Sequence, residues 1–254
     1  MSIKTAERNS GILPEDNVIH HRHLIAYQEA LKHISGTVLE IGSGEGYGIK
    51  LLAPESVQYF AVDKHNTPVE ADNKNVVFQQ LSVPPLSIFT DNTFDVVVTF
   101  QVIEHIKNDH LFLQEIKRVL KQDGLLIMTT PNRRMSLTRN PWHVREYKLN
   151  GMTELISKYF SSYQINGVFG NEKVMAYYEE NRRSVKKITR FDIFRLQYIL
   201  PRKLLQVPYD IANRMNRNKL MKKNTTLVEK VLTSDFYIDK ATESCFDFFV
   251  MAHK

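Results

Sequence analysis

The sequence predicts an α/β fold: a seven-stranded, mostly parallel sheet with helices on both faces and a helical insertion before the last strand. Three observations carry this. Short apolar runs fit for buried strands recur at 37–41, 58–62, 75–80, 94–99 and 125–129. Helix-spaced apolar patterns alternate with them, which is the mark of βαβ units. The first run ends in Gly42, Gly44 and Gly46, the punctuation of a strand turning directly into a helix.

Taken in order, residues 1–17 have no periodicity and read as a flexible lead. Ile19, Leu24, Tyr27, Leu31 and Ile34 place an apolar face on a helix over 18–34. His20, His21 and His23 on it point in different directions with no carboxylate beside them, a poor metal set and a better solvated or half-packed face. A second helix follows the glycines through Ile49, Leu51 and Leu52. Phe94 to Thr99 is the clearest buried strand, with Asp91-Asn92 as the turn ahead of it. Leu111, Ile116, Val119 and Leu120 mark the next helix, closed by a glycine turn at Gln122-Asp123-Gly124. Beyond the fifth strand come Thr130-Pro131-Asn132, a loop through Tyr147 and a helix over 150–159. Tyr163 to Val168 and Cys245 to Met251 supply the last two strands. Between them, Phe191, Ile193, Phe194, Leu196, Tyr198, Ile199, Leu200, Leu204 and Leu205 alternate with lysines and arginines, and Pro201 and Pro208 divide the stretch into short helices. The domain division is a lead over 1–17, a core over 18–170, a basic helical insertion over 171–239 and a final core strand over 240–254.

At the first turn, a dinucleotide fingerprint G-x-G-x-x-G places its third glycine at position 47, which is Tyr47. The pattern is G-x-G-x-G instead, preceded by Glu40 at the strand's carboxyl end. An acid there suits a ligand with an ammonium group and repels a pyrophosphate. Asp63 follows Gly44 by nineteen residues, close to the spacing of about 20 at which an acid reaches ribose hydroxyls. One carboxylate can accept both hydroxyls of the diol.

Glu40-Ile41-Gly42-Ser43-Gly44-Glu45-Gly46 resembles the first motif of the class I S-adenosylmethionine (SAM) dependent methyltransferases, and the resemblance covers roughly 18–170 and 240–254. It implies SAM as cofactor and S-adenosylhomocysteine as product. Gly42, Ser43, Gly44, Gly46 and Tyr47 then pass under the methionine part, with Glu40 near its amino group. Asp63 takes the ribose and Lys64 lines the adenosine edge. Ser82 stands where many relatives carry an adenine-binding Asp. Phe100-Gln101 opens the segment between methyl donor and acceptor. The Asn140-Pro141-Trp142-His143 loop is similar to bacterial methyltransferases acting on saccharides and other hydroxylated acceptors. A hydroxyl acceptor needs its proton removed, and His105 and His143 are the candidate bases. Gln101-x-x-Glu104-His105 with His143 also resembles the metal site of enzymes that methylate the 2′-hydroxyl of small-RNA 3′ ends. Gln101 replaces one charged ligand of that site, so no metal is expected here. A SAM-binding protein without catalysis is a further alternative, and an NAD-linked oxidoreductase is disfavoured by Tyr47.

The net charge of +6 is unevenly spread. From Asn181 to Lys223 thirteen Lys or Arg face two acids, a local net of +11, which leaves −5 for the rest. The plainest reading is a helical cap with a solvated basic face. The sharper ones are a site for an anionic small-molecule acceptor and peripheral contact with an acidic membrane surface. No nucleic-acid-binding module is recognisable, which disfavours RNA. No apolar run reaches eighteen residues, the lead lacks a signal-peptide core, and Cys245 is the sole cysteine. Cytoplasmic residence is the expectation.

Overall fold

The computed structural model describes residues 13–67, 74–190, 192, 196–223 and 225–254. Residues 1–12 of the expected lead, and Phe191, Ile193 and Phe194 of the insertion, lie outside the described residues. The strands are β1 (Thr37–Ile41), β2 (Gln58–Asp63), β3 (Val76–Gln80), β4 (Phe94–Phe100), β5 (Leu120–Pro131), β6 (Ser162–Gly170), β7 (Phe236–Lys240) and β8 (Asp247–His253). The helices are α1 (Asn17–Leu31), α2 (Tyr47–Leu52), α3 (Asp109–Val119), α4 (Leu149–Ser157), α5 (Glu172–Thr189), α6 (Leu196–Ile199), α7 (Arg202–Lys223) and α8 (Thr225–Glu229).

One sheet holds all eight strands in the order β3-β2-β1-β4-β5-β8-β6-β7. The pairs β3/β2, β2/β1, β1/β4 and β4/β5 are parallel, and β8 runs antiparallel to both β5 and β6. The central strands are buried on both faces: Val38, Leu39, Val97, Val98, Leu126 and Ile127 are all 0% exposed, as parallel strands with covered faces require. The order reverses beside β1, with β2 on one flank and β4 on the other. That switch point opens a crevice at the strands' carboxyl ends, where ligands of such sheets bind.

Several expectations need correction. The sheet has eight strands rather than seven, because Phe236–Lys240, assigned to the insertion by sequence, forms the edge strand β7. The turn after α3 is not a glycine turn: Asp123 carries the left-handed backbone (φ 62), and β5 already begins at Leu120, opposite Phe94. Pro208 does not end a helix but lies inside α7. Its ring forfeits the bond to the Leu204 carbonyl, while the helix is held beyond it by the buried Asn216 and Leu220.

The chain divides into two compact units. The larger comprises Ala26–Met135, Arg145–Val168 and Ile238–Lys254 and contains most of the sheet. The smaller comprises residues through Ile25, Ser136–Val144 and Phe169–Tyr237, so it draws in more than the stretch 171–239. Residues 13–17 of the expected lead are ordered there. Asp16 pairs with Arg217 at 2.6 Å, and the Asn17 amide donates to the carbonyls of Val228 and Val231, each at 2.8 Å. His21 Nδ1 meets Thr233 Oγ1 at 2.7 Å, and burial holds the pKa of His20 and His21 below the usual histidine value.

Candidate cofactor site

The glycine turn forms as the spacing requires. Gly42, Gly44 and Gly46 have φ of +86°, +54° and +81°, a region side chains rarely adopt. At Gly42 a side chain strikes Val102, whereas the position of a Cβ on Gly44 has nothing within 4 Å, so the backbone there borders open space. The turn is tied down from three sides. The Gly42 amide donates to the Val62 carbonyl at 2.7 Å. Thr67 Oγ1 donates to the Gly44 carbonyl at 3.0 Å and accepts from Ser43 Oγ at 3.0 Å. Asp63 Oδ2 accepts from the Gly44 amide at 3.0 Å, and its Oδ1 accepts from the His65 amide at 2.8 Å. Each carboxylate oxygen keeps a second acceptor site, so the Asp63 carboxylate still has room for a diol.

Glu40 sits behind the turn rather than in the crevice. It is 1% exposed, Tyr27 donates to its Oε1 at 2.9 Å, and Tyr59 donates to its Oε2 at 3.0 Å. Both oxygens are engaged by tyrosines, so the carboxyl supports the turn from behind. Burial raises its pKa to about 7, and the two hydroxyls hold it below where burial alone puts it. The Tyr27 ring packs edge-on against Tyr47 and Phe100, with centroids 5.2 and 4.6 Å apart. Glu40 thus ties α1, β2 and the aromatic lining of the turn together.

At the end of β4, Gln101 has φ 57, a left-handed conformation uncommon for a residue with a side chain. It is held there by its amide bonding to the Thr129 carbonyl at 3.0 Å and its side chain to Thr129 Oγ1 at 3.2 Å. Such outliers persist only when their surroundings over-determine them, and they gather at ligand sites. The following segment is braced as well. Glu104 is buried and accepts from Thr130 Oγ1 at 3.0 Å. Arg145 donates to the carbonyls of Ile106 and Lys107 at 3.0 and 2.7 Å, and pairs with Asp109 at 2.8 Å. His105, half-buried, is carried on this braced turn, with its amide on the Val102 carbonyl at 2.9 Å.

Within the larger unit the topology therefore gathers Gly42, Ser43, Gly44, Gly46, Tyr47, Asp63, Phe100 and Gln101 at the carboxyl ends of β1, β2 and β4. Lys64 is exposed beside Asp63, and its carbonyl accepts from Gln80 Nε2 at 2.9 Å. Ser82 is exposed two residues past β3. His143 belongs to the smaller unit, where its Nε2 meets Asn140 Nδ2 at 2.9 Å and its carbonyl accepts from Arg202 at 3.1 Å. Asn132, on the turn that ends the fifth strand, is 1% exposed, and its amide donates to the carbonyls of Glu243 and Cys245, each at 2.9 Å. It anchors the chain entering β8. Cys245 is fully buried and its pKa is pushed up to about 11 by burial, so it packs rather than reacts. Sequence reasoning missed Thr67 and Tyr59. Neither stands in a motif, and only the fold brings them to the turn.

Known proteins agree with this geometry. Residues 39–128 match the family model of the methyltransferase domain. A probable S-adenosylmethionine-dependent methyltransferase of Mycobacterium tuberculosis is 38% identical over 161 residues, covering 60% of this chain and 58% of the relative. A ubiquinone biosynthesis O-methyltransferase of Glaesserella parasuis is 30% identical over 107 residues, covering 38% of this chain and 45% of the relative. The chain thus spans less than two thirds of the length of these relatives. In fold, a SAM-dependent methyltransferase from Archaeoglobus fulgidus superposes with a TM-score of 0.53 at 17% identity, covering 97% of this chain and all of the other. The sheet with its switch point at β1 and its glycine turn is that of the class I methyltransferases. Over the matched stretch the chain is similar to SAM-dependent methyltransferases, and it shares their fold.

SAM is the methyl donor named for these relatives, and the residues present fit it. The open side of Gly44 admits a ligand against bare backbone, and Asp63 supplies acceptors for the ribose diol. Tyr47 and Phe100, held by Tyr27, give apolar surface beside the turn.

Proposed function

We propose that the chain transfers a methyl group from SAM to a hydroxyl oxygen of a small-molecule acceptor. The observation that carries the reading is Asp63 reaching back from the end of β2 to the Gly44 amide, which joins a ribose-binding carboxylate and a ligand-bare glycine turn in one cradle. When bound, SAM supplies a methyl group activated on a positively charged sulfur. The chain's own share is alignment and exclusion of water, which in such displacements is worth several kcal/mol of barrier. Asp63 holds the ribose. Gly42 to Gly46 hold the methionine part, with Glu40 bracing them from behind through Tyr27 and Tyr59. Lys64 and Ser82 border the adenosine edge. Phe100 and Gln101 separate donor from acceptor. His105, carried on the braced turn of the same unit as the cradle, takes the hydroxyl proton. Transfer to oxygen is supported by the similarity to a ubiquinone biosynthesis O-methyltransferase and by the Asn140–His143 loop.

Calorimetry with SAM and S-adenosylhomocysteine tests the cradle. Asp63→Asn replaces a charged acceptor by an amide. It is expected to weaken both ligands by about 2 kcal/mol, roughly 30-fold, with the fold intact by circular dichroism. Unchanged affinity in the folded variant overturns the assignment. With methyl-labelled SAM and a panel of hydroxylated and amine acceptors, label is expected in ether linkages. Label on nitrogen alone defeats the oxygen reading.

A further inference from the structure

The smaller unit presents an apolar surface that its own packing does not use. In α7 the side chains of Leu204, Val207, Ile211 and Met215 are 64%, 57%, 56% and 67% exposed. Their spacing of three, four and four residues places them on one helical face. The opposite face is the packed one, and it is partly polar. Asn216 is buried, accepting from Ser184 at 2.6 Å and donating to Asn181 at 2.7 Å on α5. Arg217 is consumed by Asp16. A surface helix normally turns its apolar side inward; α7 turns it to solvent. Of the fourteen large apolar side chains exposed among the described residues, eight lie between Ile188 and Met215, including Tyr198 and Ile199 on α6. Scattered surface leucines need no explanation, but this concentration does.

Charge selects the occupant. By helical spacing, the exposed Lys203 and Arg214 run along one border of the stripe and Lys219 along the other, while Lys222 stands in line with the stripe where its apolar residues end. From Leu196 to Lys223 seven Lys or Arg accompany a single acid, Asp210, which is half-buried and accepts from Trp142 Nε1 at 3.0 Å. At the far end a shallow depression is lined by Met215, Asn218, Lys219, Lys222 and Lys223, apolar on one side and ammonium-rich on the other. We infer that the exposed face of α7 docks on the surface of an anionic phospholipid bilayer. Leu204, Val207, Ile211 and Met215 enter the acyl boundary, and the flanking lysines and Arg214 meet headgroup phosphates. An apolar stripe edged by long cations is the form that lies in a bilayer interface. No described helix is long and apolar enough to cross a membrane, so this is contact in the plane. A second copy of the chain is a poorer occupant, since face-to-face pairing sets like charges against each other.

The test uses the intact protein and sucrose-loaded vesicles, and it does not depend on SAM. Vesicles of equal phosphatidylglycerol and phosphatidylcholine are expected to sediment the protein at low salt. Partition should be at least tenfold weaker into phosphatidylcholine alone, since each cation near an anionic surface is worth about fivefold. A triple variant V207S/I211S/M215S, and separately K203Q/R214Q/K219Q/K222Q, should each lose at least tenfold. All these side chains are exposed or border the exposed face, so folding is expected to survive. Should either variant misfold, Ile211→Cys carrying an environment-sensitive dye decides, because native Cys245 is buried and stays unlabelled. Its emission should shift to the blue on anionic vesicles and stay unshifted on phosphatidylcholine alone. The inference is overturned if the wild type ignores anionic vesicles, if neutral vesicles bind it equally, or if the serine variant binds like wild type. It is equally overturned if the dye shifts with protein concentration alone, which marks a self-interface.

Discussion

At the scale of single residues, the most consequential group is Glu40, whose carboxyl is buried between two tyrosine hydroxyls with a pKa near 7. The ordinary value is 4.5, so the folded state holds a proton there that the unfolded chain has released at intermediate pH. Stability from this group is therefore fully present below about pH 4.5, declines as pH rises, and levels off above about pH 7. The whole span is on the order of 3 kcal/mol at most. Thermal melts from pH 5 to 8 should show wild-type stability falling toward pH 7 by more than in Glu40→Gln, which carries no titrating group. Identical pH profiles in the two proteins defeat this account of Glu40. Asp63 is the contrasting carboxylate, half-buried at the crevice and, among the described residues, bonded to two backbone amides, which leaves it acceptor capacity for a ligand.

At the scale of elements, α2 rests directly on that buried carboxyl. A methyl group added at Gly48 meets Glu40 Oε1 and the Tyr27 ring closer than real side chains come. Gly48→Ala must therefore lift α2 or break the tyrosine–carboxyl pair, at a cost of about 1–3 kcal/mol. At this size each kcal/mol lowers the melting temperature by about 2–4 °C. A melt within a degree of wild type argues that α2 is not seated as described. The elements also show what the sequence carries and what it does not. β1, β4 and the glycine turn were legible because burial on both faces leaves an unbroken apolar run, and because φ above zero demands glycine at 42, 44 and 46. β7 was not, since an exposed edge strand such as Phe236–Lys240 keeps Asp239 and Lys240 and reads like the helical stretch before it. Pro208 misled because local propensity counts the lost bond and not the packing of Asn216 and Leu220 farther along. In the site, Asp63 showed through its spacing. Tyr59 and Thr67 stayed hidden because they act only through contacts the fold creates.

At the scale of the whole molecule, charge and sheet order divide along different lines. The positive excess is gathered in residues 181–223, while the rest of the chain is mildly acidic. The sheet is instead split by β8, the last of the eight strands in sequence, which lies between β5 and β6. During synthesis, β1 to β5 come from one continuous stretch, 37–131, and can assemble while later residues are still being added. β6 emerges well before β8, its only hydrogen-bonded route to β5. Both run antiparallel to β8 and hence parallel to each other, so β6 joins the sheet only once β8 lies between them. Closing Met128 onto Val250 spans more than a hundred residues, and such late, distant pairings are slow. In refolding followed by pulsed hydrogen exchange, the amides of Leu39 and Val97 should gain protection before those of Ile165 and Val250. Simultaneous protection shows that the sheet closes in one step. In the order expected, the half of the sheet that carries the glycine turn is built first, and the molecule waits on β8 to become whole.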